Sequence, residues 1–294
     1  MASSYYIGRF APAPSGPLHF GSIIAALGSF LQAKSQGGEW LVRIEDSDRF
    51  RAVQGATDLI LDTLEQLGLT WDRDIVVQSK REARYREELE RLQSINMVYP
   101  CACTRSETRG KPYPGTCRHN GVPRTRRDRS LRVRTDNTVI EFNDAVTGLF
   151  SQSLEKDVGD FVIKRKDGMT AYHLAVVIND ADQGVTEVVR GADLIESTPR
   201  QIYLQRLLHY PTPGYLHLPV AIDANGRKIS KQNNAPGIDP GQAARVITNA
   251  LEFLGQQPDP QLADATAEDV IKWGIDHWDI RQIPAGEYRP PGEQ

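Results

Sequence analysis

The sequence predicts an α/β fold on a parallel sheet, interrupted by a cysteine-bearing insertion and closed by a short helical part. Three observations predict it. A strand pattern, a helical pattern and a second strand pattern follow one another within about forty residues, the order of a βαβ unit with its right-handed crossover. All three cysteines fall between Cys101 and Cys117. After residue 237 only helical patterns remain, at 241–254 and 267–277, before a proline-rich tail. Residues 1–235 therefore read as one large domain containing an insertion at 98–135, and 236–294 as a short helical extension.

The first strand pattern, Tyr5 to Arg9, runs into Pro12, Pro14 and Pro17, which forbid helix and hold the chain open. Gly16 and Gly21 let the backbone turn tightly and approach a ligand. Ile23, Ile24, Leu27 and Leu31 then mark one face of a helix reaching about Lys34. His19 and Ser22 stand at its mouth, where unpaired N–H groups and the helix dipole favour an anion. An imidazole there suits a phosphate oxygen whose charge grows during reaction; a surface histidine on an ordinary turn is the plainer reading. The next strand, Glu39 to Ile44, ends in Glu45, Asp46 and Asp48. Ligands of parallel sheets bind beyond the strands' carboxyl ends, so Arg9 and Glu45 fall over one crevice. They suit a carboxylate and an ammonium respectively, although a solvated charge cluster has the same spacing.

Helical patterns follow at 56–67 and 81–92, with an extended Val76–Val77 between them. Cys101, Cys103, Tyr113, Cys117 and His119 come next. Thiolates bind zinc, a structural zinc takes four donors, and by chemistry alone His119 is the natural fourth. Arg124, Arg126, Arg127, Arg129, Arg132 and Arg134 make this insertion basic enough to track phosphates, or simply give it a solvated face. Segments 131–142 and 161–166 read as β structure, 170–180 as apolar helix, 184–194 as a strand entering a glycine turn, and 199–208 as helix. An apolar stretch, His217 to Ile222, leads into Gly226-Arg227-Lys228-Ile229-Ser230-Lys231-Gln232, a basic loop able to fold over a triphosphate. Residues 232–237 read as a linker. A net charge of −3 argues against indiscriminate coating of nucleic acid. No apolar run approaches the roughly 20 residues of a membrane span, and the start shows no leader pattern, so the expected location is the cytoplasm.

Phe10-Ala11-Pro12-Ala13-Pro14-Ser15-Gly16 with Leu18-His19-Phe20-Gly21, Arg43-Ile44-Glu45-Asp46, Val189 to Leu194, and Lys228-Ile229-Ser230-Lys231-Gln232 together resemble the glutamyl-tRNA synthetase branch of class I aminoacyl-tRNA synthetases. The resemblance covers about the first 235 positions, and is greatest to the shortened paralogues that hand glutamate to queuosine in tRNA(Asp). It implies a Rossmann-like catalytic domain with a zinc-binding insertion. Arg9, Phe10, Ala11, Pro12, Ala13 and Glu45 would bind glutamate, with Tyr172 and Arg190 at its side-chain carboxylate. His19, Gly21, Lys228, Ser230 and Lys231 would hold ATP, with His19 and Lys231 in the catalytic roles. Cys101, Cys103, Tyr113 and Cys117 would be the zinc ligands, so the resemblance favours Tyr113 over His119. Ala13 departs from the branch, which commonly has serine there, and the ending is too short for a large anticodon-binding region.

What the resemblance implies is a ligase that makes glutamyl-adenylate from glutamate and ATP with Mg2+, then transfers glutamate to queuosine in the anticodon loop. One structural Zn2+ is expected. The expected partners are ATP, L-glutamate and tRNA(Asp) bearing queuosine, with no membrane and the chain acting as a monomer. A minimal glutamyl-tRNA synthetase charging the 3′ end, or a catalytically dead RNA-binding paralogue, are the two rival readings.

Overall fold

The computed structural model describes residues 5–108, 112–122, 125–126, 128–222 and 242–288. Its centre is a set of parallel strands. β1 (Ile7–Phe10) pairs with β2 (Glu39–Ile44), and β2 with β3 (Val76–Val77). The crossover from β1 to β2 is α1 (Phe20–Ser35), one residue earlier than the glycine that marks it in the sequence. α2 (Ala56–Gln66) and α3 (Glu82–Ser94) follow, the latter entered through a tight turn at Gln78–Arg81.

The insertion begins with β4 (Val98–Cys101), then the short helices α4 (Arg105–Thr108) and α5 (Thr116–Asn120). β4 pairs antiparallel with β5 (Ser130–Val133), and β5 with β8 (Phe161–Lys164). The expected β stretch 131–142 divides at Asp136, whose carboxylate accepts from Thr138 N at 2.9 Å and turns the chain. Its second half, β6 (Val139–Asp144), forms a hairpin with β7 (Gly148–Ser153) and touches another sheet.

The chain returns through α6 (Tyr172–Asp182), β9 (Glu187–Gly191), α7 (Thr198–Leu208), β10 (Gly214–Leu218) and β11 (Val220–Ala221). β9 and β10 are parallel, and β6 joins β10 at Tyr215 and Asp144. Thr186, just before β9, links it to β1: its N–H donates to Ile7 O at 2.9 Å, and its hydroxyl accepts from Ile7 N. The strands thus run β3-β2-β1-β9-β10, with the chain leaving β1 in one direction and β9 in the other. That reversal opens a crevice above their carboxyl ends.

α8 (Ala243–Phe253) and α9 (Ala267–His277) pack on α1: Ile247, Leu251, Val270 and Ile271 share one core with Leu27, Leu31, Trp40 and Val42. α3, α6 and α7 supply a second core with β5 and β8. Among the described residues no helix is long and apolar enough to cross a membrane.

Candidate active site

A cleft of about 660 Å3 opens at the β1/β9 reversal. Its floor is the stretch after β1. Ser15 N donates to Ala13 O at 2.8 Å, and Glu45 N donates to Pro12 O at 2.9 Å, tying the ends of β1 and β2 together. Gly16 has φ 129°, a backbone that side chains rarely adopt. Phe10, Ala11, Pro12 and Ala13 all line the cleft.

His19 caps α1. Its Nδ1 accepts from Ser22 N at 3.3 Å, so the ring proton sits on Nε2, and His19, Gly21 and Ser22 line the cleft at the positive end of the helix. Lys228, Ser230 and Lys231, the rest of the expected nucleotide cradle, lie outside the described residues. So does the 232–237 linker.

Four charged side chains meet under the opposite end. Asp180 on α6 accepts from Arg9 Nε at 3.2 Å and Arg43 Nη1 at 2.7 Å, and Arg43 also holds Glu45 Oε1. Arg9 reaches Val189 O as well, stitching β1 to β9. Burial pushes the Asp180 carboxyl up, but the two guanidiniums outweigh it and hold it below the usual carboxylate range. Glu45 goes the other way: burial outweighs Arg43 and Arg9 and raises its pKa. A cation arriving beside Glu45 in the cleft would restore its charged form.

Arg190, at the end of β9, is 5% exposed. Its Nη2 donates to Thr198 Oγ1 at 2.8 Å and its Nε to His217 Nε2 at 3.2 Å. Nη1 is buried with no hydrogen-bond partner among the described residues, in a side chain that lines the cleft. Behind it His217 Nδ1 meets Asp144 Oδ2 at 2.6 Å. Burial, stronger than the pull of Asp144, lowers the His217 pKa, so the ring is neutral, donates to Asp144 and accepts from Arg190. Tyr172 stands on the cleft wall, and burial raises its phenol pKa. Arg43, Asp144, Asp180, Thr198 and His217 are the supporting residues that sequence reasoning missed. Arg43 and His217 are single polar residues between apolar ones, which was the available signal; Asp144, Asp180 and Thr198 have polar neighbours and offered none.

In the insertion the sulfurs of Cys101, Cys103 and Cys117 lie within 4.8 Å of one another, with no described His, Asp or Glu in the cluster. The Tyr113 hydroxyl sits at 3.3 Å from Cys101 Sγ and 3.5 Å from Cys103 Sγ, and accepts from Cys117 N at 2.9 Å. His119 instead folds back over Gly115. Burial pushes the Cys101 thiol up, but its contacts with the Tyr113 hydroxyl and Arg132 Nε bring it to about 7, toward the thiolate that binds metal. Gly159 admits this arrangement, since a Cβ there would lie 2.3 Å from Tyr113 O.

The described part of the arginine run divides: Arg126 and Arg129 are exposed, Arg134 is half-buried, and Arg132 turns inward. Arg132 is buried, with Nε 3.2 Å from Cys101 Sγ, Nη1 on Asp160 O, and its guanidinium 3.9 Å from the Tyr113 ring centre. Arg118 bonds Thr135 O and Asp160, and Arg134 bonds Asn96 O. Arg109, Lys111, Arg124 and Arg127 lie outside the described residues.

Comparison with known proteins bears on this geometry. A family model described as tRNA synthetases class I (E and Q), catalytic domain, matches residues 7–242. A protein of Dechloromonas aromatica named glutamyl-Q tRNA(Asp) synthetase is 50% identical over 292 residues, covering 96% of this chain and 97% of its own. One of Vibrio cholerae with the same name is also 50% identical, over 95% of this chain and 92% of its own. A glutamate tRNA ligase from Elizabethkingia meningosepticum, solved with its amino acid, has the same fold: TM-score 0.82 at 24% identity, over 99% of this chain and 68% of that one. With its cleft at the β1/β9 reversal and its cysteine cluster, the chain belongs to the class I tRNA synthetases of the E and Q branch, among the glutamyl-Q tRNA(Asp) synthetases.

Proposed function

We propose that this chain activates L-glutamate with ATP and transfers the glutamyl group to queuosine in the anticodon loop of tRNA(Asp). The names carried by relatives about half identical over nearly the whole chain support the reaction and the acceptor. One observation supports the amino acid: Arg190 keeps a buried, unpaired Nη1 in the cleft while its other donors are satisfied. A donor buried without a partner is costly, and a carboxylate of the substrate completes it. Glu45 takes the ammonium, beside the buried charge cluster, while Arg9 with Phe10 to Ala13 and Tyr172 shape the remaining contacts.

In the first step an oxygen of the α-carboxylate attacks the α-phosphorus of ATP. The bond to the bridging oxygen breaks, and pyrophosphate leaves with its electron pair. In the second, a queuosine hydroxyl attacks the acyl carbon, its proton is lost, and AMP departs. His19 Nε2 and the α1 N-terminus meet the phosphate charge, and Lys228, Ser230 and Lys231 complete the cradle by resemblance. Magnesium bound with ATP screens the phosphates.

The three thiols and the Tyr113 hydroxyl converge as four donors should around zinc. They would hold it as a structural ion that ties β4 to the loops after it. Three free thiols and tRNA substrates fit the reducing cytoplasm, and one chain supplies every residue named. The test is to transfer radiolabelled glutamate to tRNA(Asp) and map the label by nuclease digestion. Label on the queuosine-bearing anticodon fragment is expected; label on the terminal adenosine would overturn the acceptor.

A further inference from the structure

A second cavity of about 190 Å3 adjoins the main cleft, and the two share Ala13, Glu45, Arg51 and Tyr172 as a common wall. Its other side is polar and built from distant segments. Gln78 is 3% exposed and accepts from Ser47 Oγ at 3.1 Å through Oε1. That bond sets the orientation of the amide. Its Nε2 is left buried at the cavity wall with no hydrogen-bond partner among the described residues. Asp48 stands alongside, one oxygen paired with Arg165 at 3.0 Å and the other accepting from Phe50 N at 3.3 Å. Between Asp48 and Arg51, both of which line the cavity, the loop projects Phe50, 83% exposed.

Buried amides in folded proteins are almost always satisfied, so an unsatisfied one facing an open cavity points to a ligand acceptor. The volume is below the 300–1,000 Å3 of pockets that bury whole drug-sized molecules. It admits a single small ring and not a base with its ribose. An exposed aromatic beside arginines is what an unstacked RNA base needs for a platform.

We propose that this side cavity receives the acyl acceptor. A five-membered ring bearing a vicinal diol enters it, Gln78 Nε2 donates to one hydroxyl, and Phe50 stacks under the attached base. This rests on the reaction proposed above, in which queuosine brings such a ring. The shared wall then places the attacking hydroxyl beside the glutamate held at Glu45 and Tyr172. A terminal ribose carries the same diol, so the acceptor must be varied as well as the enzyme.

The experiment uses the full chain with Gln78→Leu and Phe50→Ala. Each is assayed for glutamate-dependent ATP–pyrophosphate exchange without tRNA, and for transfer to tRNA(Asp) with queuosine or with guanine in its place. In both variants transfer is expected to fall at least about tenfold more than exchange, the scale of one lost hydrogen bond or stacking contact. Phe50 is on the surface, so its removal leaves packing intact. Proportional losses, or none, in Gln78→Leu overturn the cavity assignment; the same result in Phe50→Ala overturns the platform. Label on the guanine-bearing tRNA assigns the diol to the terminal ribose and overturns the queuosine assignment. Wild-type enzyme that labels no queuosine defeats the proposed reaction itself, whereas normal wild-type transfer with insensitive variants defeats only the cavity.

Discussion

Substituting His217 tests whether the cleft recognises glutamate through a chain of three buried groups. The imidazole joins Asp144 at 2.6 Å to Arg190 Nε at 3.2 Å, and neither His217 nor Asp144 exposes any side chain to solvent. The two ends of this relay can be separated. His217→Asn keeps a donor where Nδ1 was but leaves nothing to accept from Arg190. His217→Gln reaches further and restores that acceptor, at the expense of the Asp144 contact. In the glutamine variant Asp144 Oδ1 still accepts from Val146 N, Thr147 N and the Thr147 hydroxyl, and the Oδ2 left unpaired lies on the far side of the ring from Arg190. In the asparagine variant Arg190 Nε joins Nη1 as a second buried, unpaired donor, leaving Nη2 as its anchor. A hydrogen bond to a charged group contributes about 1.5–3 kcal/mol, which at about 1.4 kcal/mol per decade is roughly ten- to hundredfold in affinity. The asparagine variant should therefore raise the KM for glutamate by about ten- to hundredfold, and the glutamine variant by much less, with the KM for ATP moving less than about twofold. Pyrophosphate exchange measured against each substrate decides it. Equal glutamate KM values for the two variants, or parallel rises for glutamate and ATP, would refute the relay.

Three further outcomes are expected. Lys231→Ala should slow glutamate-dependent exchange by more than about tenfold, the scale of one charge-stabilising contact; a near-normal rate removes Lys231 from the nucleotide cradle. Cys103→Ser should lose bound zinc by elemental analysis, and an unchanged metal content removes it from the ligand set. Burial, with Arg200 and Arg190 adding to it, lowers the His173 pKa to about 3, so the native ring refuses a proton that the unfolded chain accepts. Stability should then be fully present above about pH 6.5 and decline toward pH 3, by at most about 1.4 kcal/mol per pH unit. His173→Gln should flatten that slope in urea melts at about pH 7.5 and about pH 5, and an unaltered slope points elsewhere.

Local pattern reached some elements to the residue. Glu39–Ile44 and Ala267–His277 have the bounds read from the sequence, the first because an apolar run buried on both faces ends at the acidic Glu45, the second because helical periodicity keeps one face apolar against the shared core. The start of α1 was legible too, since prolines stop the extended stretch and His19 supplies a cap. The arginine run was legible only in part: Arg126 and Arg129 are exposed, as a solvated face requires. A cluster of cations reads as an outward face, yet β5 turns Arg132 inward, where Cys101, Asp160 and the Tyr113 ring absorb it. Asp180 was hidden for a related reason: beside Asn179 and Asp182 it reads as the polar end of an apolar helix, and its two arginines lie 171 and 137 positions away.

The two halves of the site therefore differ in how far sequence can reach them. The contacts proposed for glutamate and phosphates draw in part on one contiguous stretch, because a strand end, its turn and the following helix mouth are neighbours in the chain as well as in space; Glu45, Tyr172 and Arg190 come from elsewhere. Arg9 to Gly21 form such a stretch, and its chemistry follows from residue types in order. The side cavity has no such stretch. Ser47, Gln78, Arg165 and Thr170 reach it from separate segments, and Gln78 matters only because Ser47 takes its oxygen and leaves its nitrogen. A glutamine between Val77 and Ser79 carries no pattern of its own. If the acceptor is read there, its specificity could change through substitutions at scattered positions while the contiguous motifs, and the activation step they serve, stay as they are.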